Sequence, residues 1–581
     1  MKKGTTIEPI IHKLDDNIAA LQEFENELKG NSNSKECDIM LQFPTVYIHN
    51  WKDTEDYEVY IGESNNVIQR TRQHYDNCSD KTKWQSQLKN HNASLYVIGH
   101  EHFNKSLTLD IENRLMLYLM SVDRVKKIHN LRGNPQNRYY PDTELDDIFR
   151  MVWNRLRRYD KELFPKESAI KDSAIFKASP LHKLTDEQEK IKDVIVARVR
   201  DALNSGKKNQ IIFIDGEAGT GKTVLNSSTF YEIYSKAEEA EEEIKCRLMV
   251  NHDEQVTVYT QIAQKLGLTE KYGEVVSKPT TFINNTNLEN PIDVAFVDEA
   301  HLLLTQGKQS YRGNNQLKDI VDRARVTVVM FDENQILTTG QYWEAQVLKE
   351  FREKAKAADN YFVLKNQLRI KASKEVVDWI DGFTKERRLD PIPSERGGYD
   401  IVIFDNPFDM EKALKEKAKD DSHKLSRMIA TYDWDYGDKK SRDKRMLKYF
   451  EVIIDNWHKP WNRELPSNDG KASGALSWAE QPQTINEVGS TFTIQGFDLN
   501  YAAVILGPSV KYRNGEIVFD PSEKRYAKMT QNRTLSDGTK KKFGEELTQH
   551  EVRILMTRGV EGLYIYACDA EMRDALKKSM V

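Results

Sequence analysis

Ile211-Ile212-Phe213-Ile214-Asp215 runs directly into Gly216-Glu217-Ala218-Gly219-Thr220-Gly221-Lys222-Thr223. A short apolar run ending in G-x-x-x-x-G-K-T and then a helical stretch describes a buried strand that delivers a loop to a helix N-terminus. The glycines let backbone N–H groups turn inward onto phosphate oxygens, and the helix N-terminus adds partial positive charge. In that frame Gly216, Gly219, Thr220 and Gly221 line the phosphates of ATP, Lys222 reaches the β and γ phosphates, and the Thr223 hydroxyl holds Mg²⁺.

Other apolar runs, at 248–250, 294–297, 326–331, 401–404, 502–506 and 563–566, alternate with helical stretches from residue 184 onward and predict parallel strands. Residues 292–297 end in Asp298-Glu299-Ala300-His301, which sets carboxylates at the C-terminal end of a strand, where ligands of such sheets sit. Asp298 is the expected Mg²⁺ ligand and Glu299 the residue that orients water. Residues 326–331 end in Asp332-Glu333-Asn334-Gln335, with Gln335 expected against the γ phosphate. A polar strand terminus without a ligand is the plain alternative.

The chain has 581 residues, with 86 Lys+Arg against 91 Asp+Glu, a net charge of -5 and 39% hydrophobic residues. At about 150 residues per domain this predicts three to four units. A charged share of 30% with 9% aromatic residues excludes a fully disordered or collagen-like chain. Near-neutral charge excludes a uniformly basic chain, but it leaves room for a local positive surface that binds nucleic acid. Cys37, Cys78, Cys246 and Cys568 are far apart, which argues against a thiolate zinc site or a disulfide framework and fits a reducing cytoplasm. No stretch approaches the roughly 18 apolar residues of a membrane span, so no membrane partner is expected. The acidic run 238–243 reads as a solvated helix end.

Toward the N-terminus, residues 10–29 read as an amphipathic helix through Ile11, Leu14, Ile18, Leu21 and Phe24. Residues 45–48 and 58–62 read as two alternating strands joined across 50–56. A side-chain period of two puts Tyr47 and His49 on one face and lets Tyr60 share it. Asn66, Arg70 and His74 follow at i, i+4, i+8 spacing, on one face of a helix. Farther on, Glu112 flanks the apolar stripe Ile111, Leu115, Tyr118 and Val122, and a carboxylate there needs a partner, Mg²⁺ or an arginine.

The order of elements over roughly 180–575 resembles superfamily 1 helicases. Leu184-Thr185-Asp186-Glu187-Gln188 looks like the adenine-reading element, which implies that Gln188 bonds the base. Leu364-Lys365-Asn366-Gln367-Leu368-Arg369 looks like the start of the second RecA-like domain, with Arg369 near the γ phosphate. Thr493-Ile494-Gln495-Gly496-Phe497-Asp498 resembles motif V. Leu555-Met556-Thr557-Arg558-Gly559 resembles motif VI, with Arg558 as arginine finger. The T-x-Q-G-F and L-x-T-R-G blocks also resemble a bacterial group of P-loop proteins catalogued as a domain of unknown function. Residues 44–140 resemble the GIY-YIG nucleases: Tyr47 and Tyr60 to Gly62 match the two triplets, with Thr45 where the first normally begins with glycine. Arg70, His74, Glu112 and Asn130 match the later positions, although Asn134 and Asn137 compete with Asn130. The resemblance implies metal-dependent phosphodiester hydrolysis, with Mg²⁺ or Mn²⁺ on Glu112, Arg70 on the charged phosphate, and Tyr47, Tyr60 or His74 acting on water.

The expected fold class is α/β, divided as follows: 1–40 an N-terminal helical extension, 41–145 a small GIY-YIG nuclease domain, 146–180 a helical connector, 181–360 and 361–581 two RecA-like parallel-sheet domains. The expected function is an ATP-dependent nuclease-helicase acting on single- or double-stranded DNA. The alternative is an ATP-operated nucleic-acid-binding switch or a DNA-repair factor whose N-terminal domain does not cut alone. A cutter fused to a motor resembles bacterial anti-phage systems, and a homo-oligomer or a defence-system partner protein stays open. Lys524, Arg525, Lys528, Arg533 and 540–542 form a basic insertion that either meets phosphates or is a solvated loop; Trp434 either stacks a base or packs in the core.

Overall fold

Five strands of the N-terminal part pair into one sheet: β1 (Ile10–Asp15), β2 (Thr45–Asp53), β3 (Asp56–Ser64), β4 (Ser94–Gly99) and β5 (Val125–Ile128), in the order β1-β4-β2-β3-β5. All neighbours are antiparallel except β3 and β5. The computed structural model describes residues 7–30, 34–77, 84–89, 93–130, 142–307, 310–365, 370–437, 449–466, 477–494 and 497–580. Met1–Leu184 with Val258–Val275 form one unit, and Thr185–Thr257 with Val276–Val581 form another.

In the first unit the β2–β3 register sets His49 opposite Tyr60 and Tyr47 opposite Gly62. Tyr47, His49 and Tyr60 therefore share a face, while Val46, Ile48, Val59 and Ile61 are buried on the other. A Cβ on Gly62 would lie 2.4 Å from the Tyr47 hydroxyl, so glycine there makes room for the tyrosine ring. Tyr47 and Tyr60 join Leu21, Phe24, Val67 and Ile68 in one apolar cluster. Lys265 is buried and donates to the carbonyls of Met120 (2.9 Å) and Val122 (2.7 Å), which ties 258–275 into this unit.

Two expectations change here. Residues 10–15 are not the start of a helix but an edge strand paired with β4, Ile10 opposite Gly99 and Leu14 opposite Leu95. Ile11 and Leu14 fit either period, and an available sheet edge favoured the strand. The helix begins at Ile18, where the Asn17 side chain accepts from the Ala20 N–H. Residues 146–180, expected as a helical connector, are helical but pack into the first unit. Helix Leu145–Tyr159 buries Ile148, Phe149, Val152, Trp153 and Leu156, and Tyr159 donates to the Ile11 carbonyl at 2.8 Å.

The second unit holds two parallel sheets. The first comprises β6 (Gln210–Gly216), β7 (Cys246–Met249), β8 (Val276–Ser277), β9 (Ile292–Val297), β10 (Ala324–Phe331) and β11 (Tyr361–Leu364), in the order β11-β6-β10-β9-β7-β8. The second comprises β12 (Asp400–Ile403), β13 (Arg427–Ala430), β14 (Val488–Gly489), β15 (Leu499–Leu506) and β16 (Gly559–Ala567), in the order β12-β16-β15-β13-β14. Each apolar run read as a strand is one. The crossing helices Lys222–Glu239 and Gly544–Met556 bury their apolar faces against these sheets, as parallel strands require. Among the described residues no helix is long and apolar enough to cross a membrane.

Two residues of the basic insertion, Lys524 and Arg533, are structural, while Arg525, Lys528 and Lys542 are exposed. Lys524 is buried, bonded to Asp433 at 2.7 Å and to Glu551, and Arg533 donates to the carbonyls of Thr339 (2.6 Å) and Thr305 (3.2 Å). Lys540 and Lys541 are exposed. Trp434 donates to the Ile453 carbonyl at 3.1 Å and lies edge-on to Trp461. Lys524→Met leaves two carboxylates buried without their cation, a loss of about 3–5 kcal/mol. Urea denaturation is expected to show that loss.

Candidate nucleotide-binding and nuclease sites

In the second unit β6 ends at Gly216, and Gly219 (φ 85°) and Gly221 (φ 79°) take left-handed conformations that deliver the chain to helix Lys222–Glu239. The turn is tight: a Cβ on Gly216 would lie 2.6 Å from Thr220 Oγ1. Thr220 Oγ1 donates to the Glu217 carbonyl at 2.9 Å. Lys222 Nζ donates to the carbonyls of Gly216 (2.6 Å) and Glu217 (2.9 Å) and lies 3.5 Å from Asp332 Oδ2.

The Thr223 hydroxyl donates to Asp298 Oδ2 at 3.2 Å. Two hard oxygen donors side by side at a strand end suit Mg²⁺, which takes one or two protein oxygens and completes its shell with water and phosphate. Glu299 follows in a left-handed conformation, φ 47°, rare for a residue with a side chain. That turn brings its carboxylate 3.5 Å from His301 Nδ1. Burial keeps His301 below its ordinary pKa.

Gln335 Nε2 donates to Asp332 Oδ2 at 2.6 Å, and Gln335 Oε1 accepts from Arg558 Nη2 at 3.4 Å. Arg558 is 1% exposed and also donates to the Phe497 carbonyl at 3.3 Å. Burial opposes ionisation of Asp332, but Lys222, His301 and the Gln335 amide outweigh it and hold the carboxyl below its ordinary range. Lys222, Asp332, Gln335 and Arg558 thus form one hydrogen-bonded series. Gln188 sits behind the loop: its side chain accepts from the Thr185 N–H at 3.0 Å and donates to the carbonyls of Thr220 (3.2 Å) and Gly221 (3.4 Å). Arg369 lies outside the described residues.

Arg553 and Lys385 escaped the sequence reading. Arg553 donates to Glu217 and Asp381, and Lys385 Nζ donates to Glu217 Oε1 (2.6 Å) and Asp381 Oδ2 (2.9 Å). The available signal was Glu217 itself, since an acid in a loop built for phosphates calls for cations nearby.

In the first unit, Tyr47 Oη lies 3.1 Å from His74 Nε2, and the Tyr47 and Tyr60 rings stack with centroids 6.2 Å apart. Arg70 interacts with both hydroxyls. Burial and the neighbouring Tyr60 push the Tyr47 hydroxyl above its ordinary pKa, opposed by Arg70. Burial, His49 and Arg70 together push His74 down to about 3, so the ring is neutral at pH 7. Glu112 is 5% exposed, and its Oε1 accepts from Asn130 Nδ2 at 3.1 Å. Asn130 also donates to the Ile61 carbonyl at 2.7 Å, within the Tyr60 to Gly62 triplet. The two groups of predicted residues are therefore Tyr47, Tyr60, Arg70 and His74 on one side and Glu112 with Asn130 on the other. The Asn130 N–H group faces Glu112, so the carboxylate is the oxygen donor that suits a hard cation keeping most of its own water. Among the described residues no three His, Cys, Asp or Glu side chains converge as a metal cluster. Sequence reading did not select Trp84, stacked 4.2 Å from Tyr60, or Gln85, 3.5 Å from His74 Nδ1.

Because His74 binds its proton near pH 3 when folded and near 6.5 when unfolded, the unfolded chain takes up a proton first as pH falls. Stability is expected to drop between about pH 6.5 and pH 3, and His74→Gln to flatten that drop in thermal melts across the range.

Residues 209–569 match the family model described as Schlafen group 3, DNA/RNA helicase domain. An uncharacterized protein of Saccharomyces cerevisiae is 34% identical over 429 residues, covering 68% of this chain and 90% of that protein. Among solved structures, the Pif1 helicase from Candida albicans aligns over 41% of this chain and 55% of its own, at 14% identity and TM-score 0.21. A structure of DNA unwinding at forked dsDNA by two coordinating Pif1 helicases aligns over 68% of this chain and 94% of its own, at 11% identity and TM-score 0.24. The family match spans both parallel sheets and every described residue of the series from Lys222 to Arg558, and through it the chain belongs to the Schlafen group 3 DNA/RNA helicase domain family.

Proposed function

We propose that the second unit hydrolyses ATP to drive movement on, or grip of, DNA, and that the first unit cuts DNA by metal-dependent phosphodiester hydrolysis. The observation that carries the ATPase is the buried series Lys222, Asp332, Gln335 and Arg558, which joins the phosphate loop at the end of β6 to the residue preceding β16. Cations from both sheets then meet charge spread over a γ phosphate, so hydrolysis reports how the two sheets approach. Thr223 and Asp298 would hold Mg²⁺, which neutralises phosphate charge. Glu299 orients the attacking water, and Gln188 braces the loop near the adenine.

In the first unit Glu112 would hold Mg²⁺ or Mn²⁺, which would stabilise the leaving oxygen, with Asn130 bonded to its carboxylate. Arg70 faces the non-bridging phosphate oxygens, and Tyr47, Tyr60 and neutral His74 are the candidates that position water or take its proton. The clustering of these side chains on the Tyr47 face supports cutting. A second reading, a nucleic-acid-binding switch or repair factor that does not cut, draws on the burial of Glu112 and its bond to Asn130. Host defence in the cytoplasm is the setting that the fused architecture suggests.

Lys222→Ala is expected to abolish ATP hydrolysis, and also DNA nicking if cutting is gated by ATP. Arg558→Ala is expected to lower kcat for ATP by about 10³-fold while ATP affinity holds. Glu112→Ala should abolish nicking of plasmid DNA with Mg²⁺ or Mn²⁺ and leave ATPase intact. Absence of nicking by the wild-type chain, with and without ATP, assigns the first unit to the switch.

A further inference from the structure

Helix Gly544–Met556 ends two residues before Arg558, and one of its faces meets loops of the first parallel sheet. Glu546, His550 and Arg553 share that face at i, i+4, i+7 spacing. Glu546 accepts from the Tyr342 hydroxyl at 3.5 Å, His550 Nδ1 donates to the Ile336 carbonyl at 3.0 Å, and Arg553 donates to Glu217. Tyr342 and Ile336 follow β10, and Glu217 follows β6 in the phosphate loop. Two of these contacts touch the strand end that carries Asp332 and Gln335; the third touches the loop that carries Lys222.

Glu217 is the one acid between Gly216 and Thr223. Its oxygens are taken by separate cations, Oε1 by Lys385 at 2.6 Å and Oε2 by Arg553. Asp381, on helix Lys374–Thr384, engages the same two cations, Lys385 at 2.9 Å and Arg553 through its other oxygen. Two acids and two cations thus close a neutral ring in which Glu217 is the member from the first sheet. The Arg553 side chain is 8% exposed, whereas that of Glu217 is 45% exposed. Without the Glu217 charge Arg553 keeps Asp381, so no buried cation is stranded and the fold does not require the acid. For phosphate binding alone an acid in this loop is a cost, because like charges repel.

We infer, building on the ATPase reading, that Glu217 is a positioning residue for Arg558. Through Arg553 and Lys385 it seats the last turn of helix Gly544–Met556 against the phosphate loop, and that turn carries Arg558. The link is short and stiff: the Arg553 carbonyl accepts from both the Thr557 N–H (3.1 Å) and the Thr557 hydroxyl (2.8 Å), and the Arg558 N–H donates to the Leu555 carbonyl at 3.3 Å. A shift of Arg553 is therefore passed to Arg558. The Arg558 side chain reaches Gln335 at 3.4 Å and the Phe497 carbonyl at 3.3 Å, both at the long end for hydrogen bonds, so its place depends on the turn that carries it. A cation that stabilises charge on a γ phosphate acts only from a well-set position.

Variants of the full chain test this by steady-state ATP hydrolysis and by calorimetry with a non-hydrolysable ATP analogue. Glu217→Gln and Lys385→Gln are each expected to lower kcat about tenfold, with affinity for the analogue and melting temperature at wild-type values. Lys385→Arg, which keeps the cation, is expected to retain wild-type kcat. In an Arg558→Ala background Glu217→Gln is expected to cost nothing further, because its effect runs through that arginine. Wild-type kcat in folded Glu217→Gln, or a full further loss in the Arg558→Ala background, overturns the inference and leaves the ATPase reading standing. Analogue affinity that rises in Glu217→Gln and falls in Lys385→Gln overturns it too, since the two side chains then act on the phosphates by charge alone. A wild-type chain that hydrolyses no ATP overturns both readings, and unfolding of both glutamine variants assigns the ring to the fold instead.

Discussion

A buried ammonium and a buried carboxylate, Lys222 and Asp332, organise the nucleotide end of the second unit. Neither charge is tolerable alone in that environment, and their 3.5 Å approach makes each the condition for the other. The pair also fixes what surrounds it. Asp332 caps its own turn by accepting from the Asn334 N–H and, through Gln335, reaches Arg558 in the Leu555-Met556-Thr557-Arg558-Gly559 block. Parallel strands put these groups together for a simple reason: β6, β9 and β10 run side by side, so the loops that follow them open at the same end of the sheet.

The first unit assembles its polar groups by another route. A hairpin register and one helix bring Tyr47, His49, Tyr60, Arg70 and His74 to one face, where burial removes water and leaves the side chains to satisfy one another. The outcome is a neutral His74 against a protonated Tyr47, and a carboxylate from the N-terminal turn against His49. The N-terminal segment joins this buried polar cluster because β1 pairs with β4 at the sheet edge and the turn after it carries Asp16 to His49.

Legibility followed locality. The strand and glycine loop at 210–223, the acids after β9 and β10, and the alternation of Tyr47 with Val46 and Ile48 depend on neighbours within a few residues. The error at residues 10–17 arose because Ile11 and Leu14 satisfy a helical and an extended period alike. Two residues of the basic insertion differ for another reason. Lys524 and Arg533 look like phosphate ligands until Asp433, Glu551 and the Thr339 carbonyl, distant in sequence, are seen to engage them. Arg553 was missed because its partners, Glu217 and Asp381, lie 336 and 172 residues away.

By itself the sequence determined the α/β class, the phosphate loop with Lys222 and Thr223, and the acids that follow β9 and β10, because each is written in short-range spacing. Tertiary structure alone decided that Lys222, Asp332, Gln335 and Arg558 form one series, that Asn130 is the asparagine bonded to Glu112, and that Asp16 reaches His49. Those pairings come from strand order and register, which bring together residues with no sequence relation, and from burial, which makes an unpaired charge too costly to leave.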